Sequence, residues 1–199
     1  LTITAETTTA DAVMEDDDTY RARLYASWSQ LSTAGPASAF ESIALNASGS
    51  VAAVRATSPA PGEVLISILS ADQSGAPDQQ LIDTVQAAVS ADESRPLTVA
   101  VTTASADITE VALVAELVLT DGQDANGAAS IRSAAADAAT AFAASWRTIG
   151  KPLEISQIYA LLHVTGVQSV HLTSPVATVP VSENGAAVIT TVTITLADT

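Results

Sequence analysis

The 199-residue sequence contains no cysteine. A disulfide scaffold, a thiolate metal site and a cysteine nucleophile are therefore excluded. Aromatic residues make up only 4% of the chain and charged residues 15%, whereas about 25% charged is usual. Alanine, valine, leucine and isoleucine must then fill the interior, which favours thin, closely packed cores over a deep aromatic pocket.

Basic residues are also scarce, with 7 Lys and Arg against 22 Asp and Glu and a net charge of −15. Nucleic-acid phosphates and anionic membrane surfaces repel such a protein, so we expect no nucleic-acid partner. No apolar run approaches the ~20 residues that span a bilayer, so we expect no membrane insertion. The charge favours solubility and self-repulsion.

Motifs of common enzyme classes are missing as well. The sequence has no Gly-rich phosphate loop and no Gly-x-Ser-x-Gly elbow. Its few aromatic residues argue against a sugar-binding cleft of the glycosidase type. We therefore predict no enzyme, with no catalytic and no cofactor-binding residues. A small hydrolase using acidic residues is a lesser hypothesis, which carboxylate-to-amide variants would test.

Candidate metal ligands are few. His163 and His171 are the only histidines, and no third ligand is placed near them in the sequence. The acidic run 15–18 lacks the glycine and the glutamate of an EF-hand loop, and the run 121–127 misses its ligand spacing. Helix capping explains both runs better, so we predict no metal site. Asn46, Ala47 and Ser48 fit a glycosylation sequon, but no secretion signal accompanies them.

The first half of the chain, residues 1–106, is predicted to be one α+β lobe. Hydrophobic periodicity and turn residues indicate, in order, a strand at 1–5, a helix at 16–31, a helix from Pro36 to Gly49, an antiparallel hairpin of strands 51–57 and 63–70, a connecting helix at 77–90 and a strand at 98–104. Pro59, Pro61 and Gly62 fix the hairpin turn.

The second half, residues 107–199, is predicted to be a second α+β lobe. It begins with an alternating strand at 111–119. The apolar stripe of the following helix, 124–149, comprises Ile131, Ala135, Ala138, Phe142, Trp146 and Ile149. Ser156 is expected to cap a shorter helix that ends near His163 and Gly166, and a final hairpin pairs strands at 170–175 and 188–196.

The two halves share a pattern. Residues 49–69 and 166–196 both contain Gly, an apolar strand and Thr-Ser-Pro, which aligns Pro59 with Pro175. We therefore predict a duplicated β-α-α-β-β unit: an α+β fold of two small lobes, each with a pair of helices on a short, mostly antiparallel sheet. Both prolines should then occupy equivalent hairpin positions.

Several short motifs resemble the baseplate J-like family of contractile phage tails. They lie at 20–24 (YRARL), 31–40 (LSTAGPASAF), 54–59 (VRATSP), 62–64 (GEV), 95–98 (RPLT), 161–167 (LLHVTGV) and 172–175 (LTSP). Phe40 and Val99 depart from the residues often found in relatives. Because the chain opens at Leu1, and family members carry a preceding part, we expect it to be a fragment.

The resemblance implies a structural role. Such proteins are wedge components that assemble in several copies around the tail tube, so the expected partners are other baseplate and tail proteins in a ring. The expected location is the virion tail baseplate, with the host bacterial cytoplasm during assembly. The family offers no catalytic residues. An acidic surface or adhesion module without catalysis is the alternative, because the strands are rich in threonine.

Overall fold

The computed structural model describes residues 37–91 and 99–197. The predicted strand at 1–5 and the helix at 16–31 lie outside these ranges. The elements, in chain order, are α1 (Ala37–Ala47), β1 (Val51–Thr57), β2 (Glu63–Ser70), α2 (Gln79–Val89), β3 (Ala100–Ser105), β4 (Asp107–Leu119), α3 (Ala125–Ser145), α4 (Ile155–Leu162), β5 (Val167–Ser174) and β6 (Gly185–Leu196). They form the predicted α+β fold of two lobes.

The first lobe is a three-stranded sheet in the order β1-β2-β3 with two helices on one face. The predicted hairpin is confirmed, because β1 pairs antiparallel with β2. Gly62 takes a φ of 81° in its turn, a conformation that favours glycine. Strand β3 then pairs parallel with β2. The core between sheet and helices is aliphatic apart from Phe40, and includes Ala44, Ile66, Ile68, Val85 and Val89.

Helix α2 illustrates how the sequence determines this packing. The Asp78 side chain accepts a 2.7 Å hydrogen bond from the Leu81 N–H and caps the helix. Leu81, Val85 and Val89 are buried one turn apart on the face that meets the sheet. Gln86 fastens the helix to β3, accepting from the Thr103 N–H at 2.6 Å and donating to the Val101 carbonyl at 2.9 Å.

The second lobe is a three-stranded sheet in the order β5-β4-β6. Its central strand β4 turns Leu113, Ala115 and Leu117 into the core, where their exposure is 1% or less. Helices α3 and α4 cover that face. The residues packed there from outside β4 include Ala135, Ala139, Leu153, Ile158 and Leu162.

The predicted final hairpin is wrong. Strand β4 lies between β5 and β6, antiparallel to the first and parallel to the second. A long strand that is apolar on both faces fits the centre of a sheet, and the segment 175–184 crosses from one edge to the other. Each sheet is consequently mixed, with one antiparallel and one parallel pair, rather than mostly antiparallel.

Pro59 and Pro175 therefore do not occupy equivalent positions. Pro59 lies in the turn of a true hairpin, whereas Pro175 follows β5 through a cis peptide bond and leads away from β4. The order β-α-α-β-β is present in the second lobe. The duplicated hairpin is not.

Two predictions about the helices of the second lobe are also corrected. Helix α3 ends at Ser145 rather than at Ile149, and its buried residues are Ala135, Ala139 and Ala143. Small side chains let this helix approach the sheet closely, which moves the buried stripe away from Ala138. Ser156 lies inside α4, whose N-cap is Glu154 without a side-chain hydrogen bond.

A single residue of the chain connects the last strand of the first lobe to the first strand of the second. Strand β3 ends at Ser105 and β4 begins at Asp107, so only Ala106 separates them. The Ala106 N–H donates to the Ile68 carbonyl at 2.9 Å, and the Asp107 N–H donates to the Asn184 carbonyl at 3.1 Å. The chain thus passes from the edge of the first sheet directly into the centre of the second.

Candidate interaction surfaces

An apolar cluster lies where the two lobes meet, and we call it the interlobe joint. It comprises Leu69, Ala106, Ile149, Ala186 and Val188, all at most 6% exposed. Leu69 belongs to the first lobe, whereas the last three belong to the second. Burial of apolar surface therefore holds the lobes in one arrangement.

Close backbone packing at a glycine tightens this joint. The Gly150 N–H donates to the Gly185 carbonyl at 2.7 Å, and Gly150 has a φ of 75°. A Cβ at position 150 would lie 2.8 Å from the Glu183 carbonyl oxygen. Only glycine fits there without a shift of the neighbouring backbone.

Polar contacts surround the joint. Arg55 pairs with Glu183 at 3.2 Å, and the Thr57 hydroxyl donates to the Asn184 side chain at 3.2 Å. On another side, the Gln73 side-chain amide donates to the Thr190 carbonyl at 3.0 Å. Strand β1 of the first lobe therefore contacts the residues just before β6, and the loop after β2 contacts the middle of β6.

A groove of about 550 Å³ opens between the lobes, which we call the interlobe groove. The loop after β2, the end of α3 and the middle of β6 form its walls, with lining residues that include Gln73, Thr140, Ala144, Arg147, Thr191 and Val192. This volume lies within the ~300–1,000 Å³ typical of ligand sites. Arg147 is the charged residue that lines it.

Arg147 is poorly paired. Its Nη2 donates to the Gln73 carbonyl at a long 3.4 Å, while its Nε and Nη1 atoms are buried without a hydrogen-bond partner. Burial lowers the pKa of Arg147, and the charge of Asp72 opposes that shift. Within the described ranges, no carboxylate forms an ion pair with this guanidinium. Among the described residues, Asp72 is thus the carboxylate whose charge acts on this cation, and it forms no ion pair with it.

Among the strands of residues 37–91 and 99–197, none pairs with the outer side of β6 at 192–196. This stretch continues the groove, and we call it the β6 edge. The Ala197 N–H donates inward to the Leu117 carbonyl, and the Thr190 carbonyl faces outward to Gln73. Backbone groups alternate along a strand, and the pairing of 191–196 with β4 has no irregularity. The peptide groups of Val192, Ile194 and Leu196 therefore point outward.

The two histidines lie in different elements of the second lobe. His163 is the C-cap of α4, where its N–H donates to the Tyr159 carbonyl. His171 lies exposed on β5, opposite Glu116 of β4. Across residues 37–91 and 99–197, no group of three His, Cys, Asp or Glu side chains is placed to hold a metal ion.

The other sequence candidates have local roles. Asp124 accepts from the Gly127 N–H at 2.7 Å and caps α3, so the capping interpretation of the run 121–127 is confirmed. The run 15–18 lies outside the described residues. Asn46 is exposed in the last turn of α1. Ser58 donates to the Ala60 carbonyl at 3.1 Å within the β1–β2 turn.

Sequence reasoning missed Arg147, Gln73 and the β6 edge. The scarcity of cations was the available signal, because Arg147 is one of only 7 basic residues. Its position in a groove depends on contacts between the lobes, and these have no local pattern. As for membranes, none of the described helices combines the length and the hydropathy that a membrane span requires.

The protein is thus a two-lobed α+β protein. Its candidate interaction surfaces, among the described residues, are the interlobe groove and the β6 edge beside the interlobe joint. Two family models match it in chain order: the Baseplate J-like central domain at 32–105 and the Baseplate J-like protein C-terminal domain at 111–195. The chain belongs to the baseplate J-like family. The resemblance seen in its motifs is thereby confirmed.

Known relatives agree with this assignment. The chain is 37% identical over 166 residues to "Baseplate protein J" of Escherichia phage P2, which covers 83% of this chain and 54% of that protein. It thus spans about half the length of that relative. A chain from the baseplate of the anti-feeding prophage, solved by cryo-EM, has a similar fold with a TM-score of 0.51 and 14% identity. That match covers 86% of this chain and 41% of the solved one.

Proposed function

We propose that this protein is a structural component of a contractile tail baseplate, in a phage, a prophage or a tailocin. The 37% identity to a phage baseplate protein over 83% of the chain is the observation that carries this role. The fold of a prophage baseplate chain supports it. The relatives do not favour the alternative of an acidic adhesion module, because both bear baseplate names.

The role is that of a wedge protein acting through protein–protein interfaces. Its partners are other baseplate and tail proteins, with several copies in a ring, and neither nucleic acid nor membrane insertion is involved. It works without catalysis, metal or cofactor. Two lobes fixed by an apolar joint suit the transmission of force between neighbours, since packed interiors deform little.

We further propose the domain division 1–106 and 107–199, with the connecting helix 77–90 and the strand 98–104 in the first part. The transition from β3 to β4 at Ala106 supports this boundary. Separate expression of the two parts tests it. Each part should show the backbone NMR shifts that it has in the whole chain, except near the interlobe joint.

Tail particles from a producing host test the main proposal. The protein should be located in the virion tail baseplate by gold-labelled antibody and cryo-EM, after a period in the host cytoplasm during assembly. Labelling of a sheath protein in the same particles is the control. Recovery of the protein only in free form, with unlabelled tails, would contradict the proposal.

A further inference from the structure

The interlobe groove and the β6 edge adjoin each other, because Thr190, Thr191 and Val192 belong to both β6 and the groove wall. We propose that together they form a docking site for an extended segment of a partner protein, with one carboxylate placed at Arg147. The segment would add a strand to the second sheet and insert its acidic side chain into the groove. This site is independent of the proposed function.

The charge of Arg147 favours a carboxylate. Its guanidinium loses hydration in the groove, and its Nη2 has only the long 3.4 Å contact with the Gln73 carbonyl. A carboxylate oxygen would form a shorter, charge-assisted hydrogen bond there. The threonine hydroxyls of the groove wall at positions 190 and 191 provide further donors at the same place, whereas the Thr140 hydroxyl already donates to the Ala136 carbonyl at 2.8 Å.

The β6 edge favours an extended segment. Val192, Ile194 and Leu196 present N–H and C=O groups outward, and these can pair with the backbone of an added strand. Edge strands of this length usually carry a proline or a charged residue that discourages pairing. Strand β6 (GAAVITTVTITL) has neither over its 12 residues.

The net charge of the chain limits the segment to few acidic residues. A protein with a net charge of −15 repels a run of acidic residues at long range. A single carboxylate is repelled less and can pair with the nearby guanidinium of Arg147. We therefore infer a partner segment that is neutral, rich in β-forming residues and marked by one glutamate or aspartate.

Two pools of ten-residue peptides test this proposal. Both pools vary Thr, Val, Ser and Ile at nine positions, and the sixth position is glutamate in one pool and glutamine in the other. The 199-residue chain, immobilised, should retain the glutamate pool about tenfold better, as expected for one charge-assisted hydrogen bond. Equal retention of both pools, or of neither, would overturn the proposal.

Arginine variants identify the site. Arg147→Gln should abolish the preference for glutamate, and Arg147→Lys should restore part of it. Arg132→Gln is the matched control, because it removes the same charge from an exposed position earlier on α3. Thermal unfolding of each variant shows that the fold is retained. A preference that survives Arg147→Gln, or is lost in Arg132→Gln, would contradict the site.

Hydrogen exchange tests the strand pairing separately. The best retained glutamate peptide should slow exchange of the Val192, Ile194 and Leu196 amides by at least about tenfold. The Thr193 and Thr195 amides face β4 already and should change little. Uniform protection along 192–196, or no protection, would exclude an added strand.

Discussion

The guanidinium of Arg55 lies 3.2 Å from the carboxylate of Glu183, on the rim of the interlobe joint. Their side chains are 42% and 68% exposed, so water screens the pair. Beneath them, Leu69 and Val188 have no exposed surface. The apolar centre of the joint, and not its charged rim, should therefore supply most of the free energy that holds the lobes together.

The ion pair should contribute little to stability. In a double-mutant cycle with Arg55→Gln and Glu183→Gln, we expect a coupling free energy of about 0.2–1 kcal/mol, as is usual for exposed pairs. Urea unfolding measures it. The coupling should fall further in ~1 M NaCl, where the Debye length is about 3 Å. A coupling that is large and insensitive to salt would show that the rim, after all, stabilises the joint.

The apolar centre should contribute far more. Leu69→Ala removes a side chain with 0% exposure and should lower the free energy of unfolding by about 2–5 kcal/mol. The matched control is Leu45→Ala on α1, where the leucine is 44% exposed and the loss should be below about 1 kcal/mol. Urea unfolding followed by circular dichroism compares the two variants. Similar losses would mean that the joint is loosely packed.

Alanine substitutions at three glycines distinguish the cost of a positive φ from the cost of a steric clash at the Cβ. Gly150→Ala combines a φ of 75° with a Cβ only 2.8 Å from the Glu183 carbonyl, so it should destabilise the protein most. Gly122→Ala has a φ of 86° in open space and should cost about 1–2 kcal/mol. Gly49→Ala meets neither obstacle and should be neutral or slightly stabilising. Thermal unfolding gives the order, and equal effects at Gly150 and Gly122 would contradict the close packing of the joint.

Local features were predictable where turn chemistry is strong. The bounds of β1 and β2 agree with the sequence, because two prolines and Gly62 fix the turn between them. The cap Asp78 marks the start of α2 in the same way. The order β5-β4-β6 was not predictable, since the choice of neighbour for a strand depends on contacts between distant residues.

The candidate docking site was beyond sequence reasoning for a related reason. Gln73 lies in the loop after β2, Arg147 just after α3 and Val192 in β6. Only the packing of the two lobes brings these three segments to one groove. The buried face of the alanine-rich helix α3 is also hard to identify from the sequence. Its hydrophobic residues are similar all round. The predicted stripe shares Ala135 with the observed one, whereas Phe142 and Trp146 are only partly buried against the core, beside the buried Ala139 and Ala143.

The buried face of α3 can be tested directly with alanine-to-leucine changes. Ala139 has 0% exposure against the sheet, so Ala139→Leu should overpack the core and lower the free energy of unfolding by about 1–3 kcal/mol. Ala134→Leu, on the exposed side of the same helix, adds the same atoms and should change it by less than about 0.5 kcal/mol. Both substitutions keep a strong helix former, so propensity does not separate them. Denaturation by urea measures the difference, and a larger loss at Ala134 would place the opposite face of α3 against the sheet.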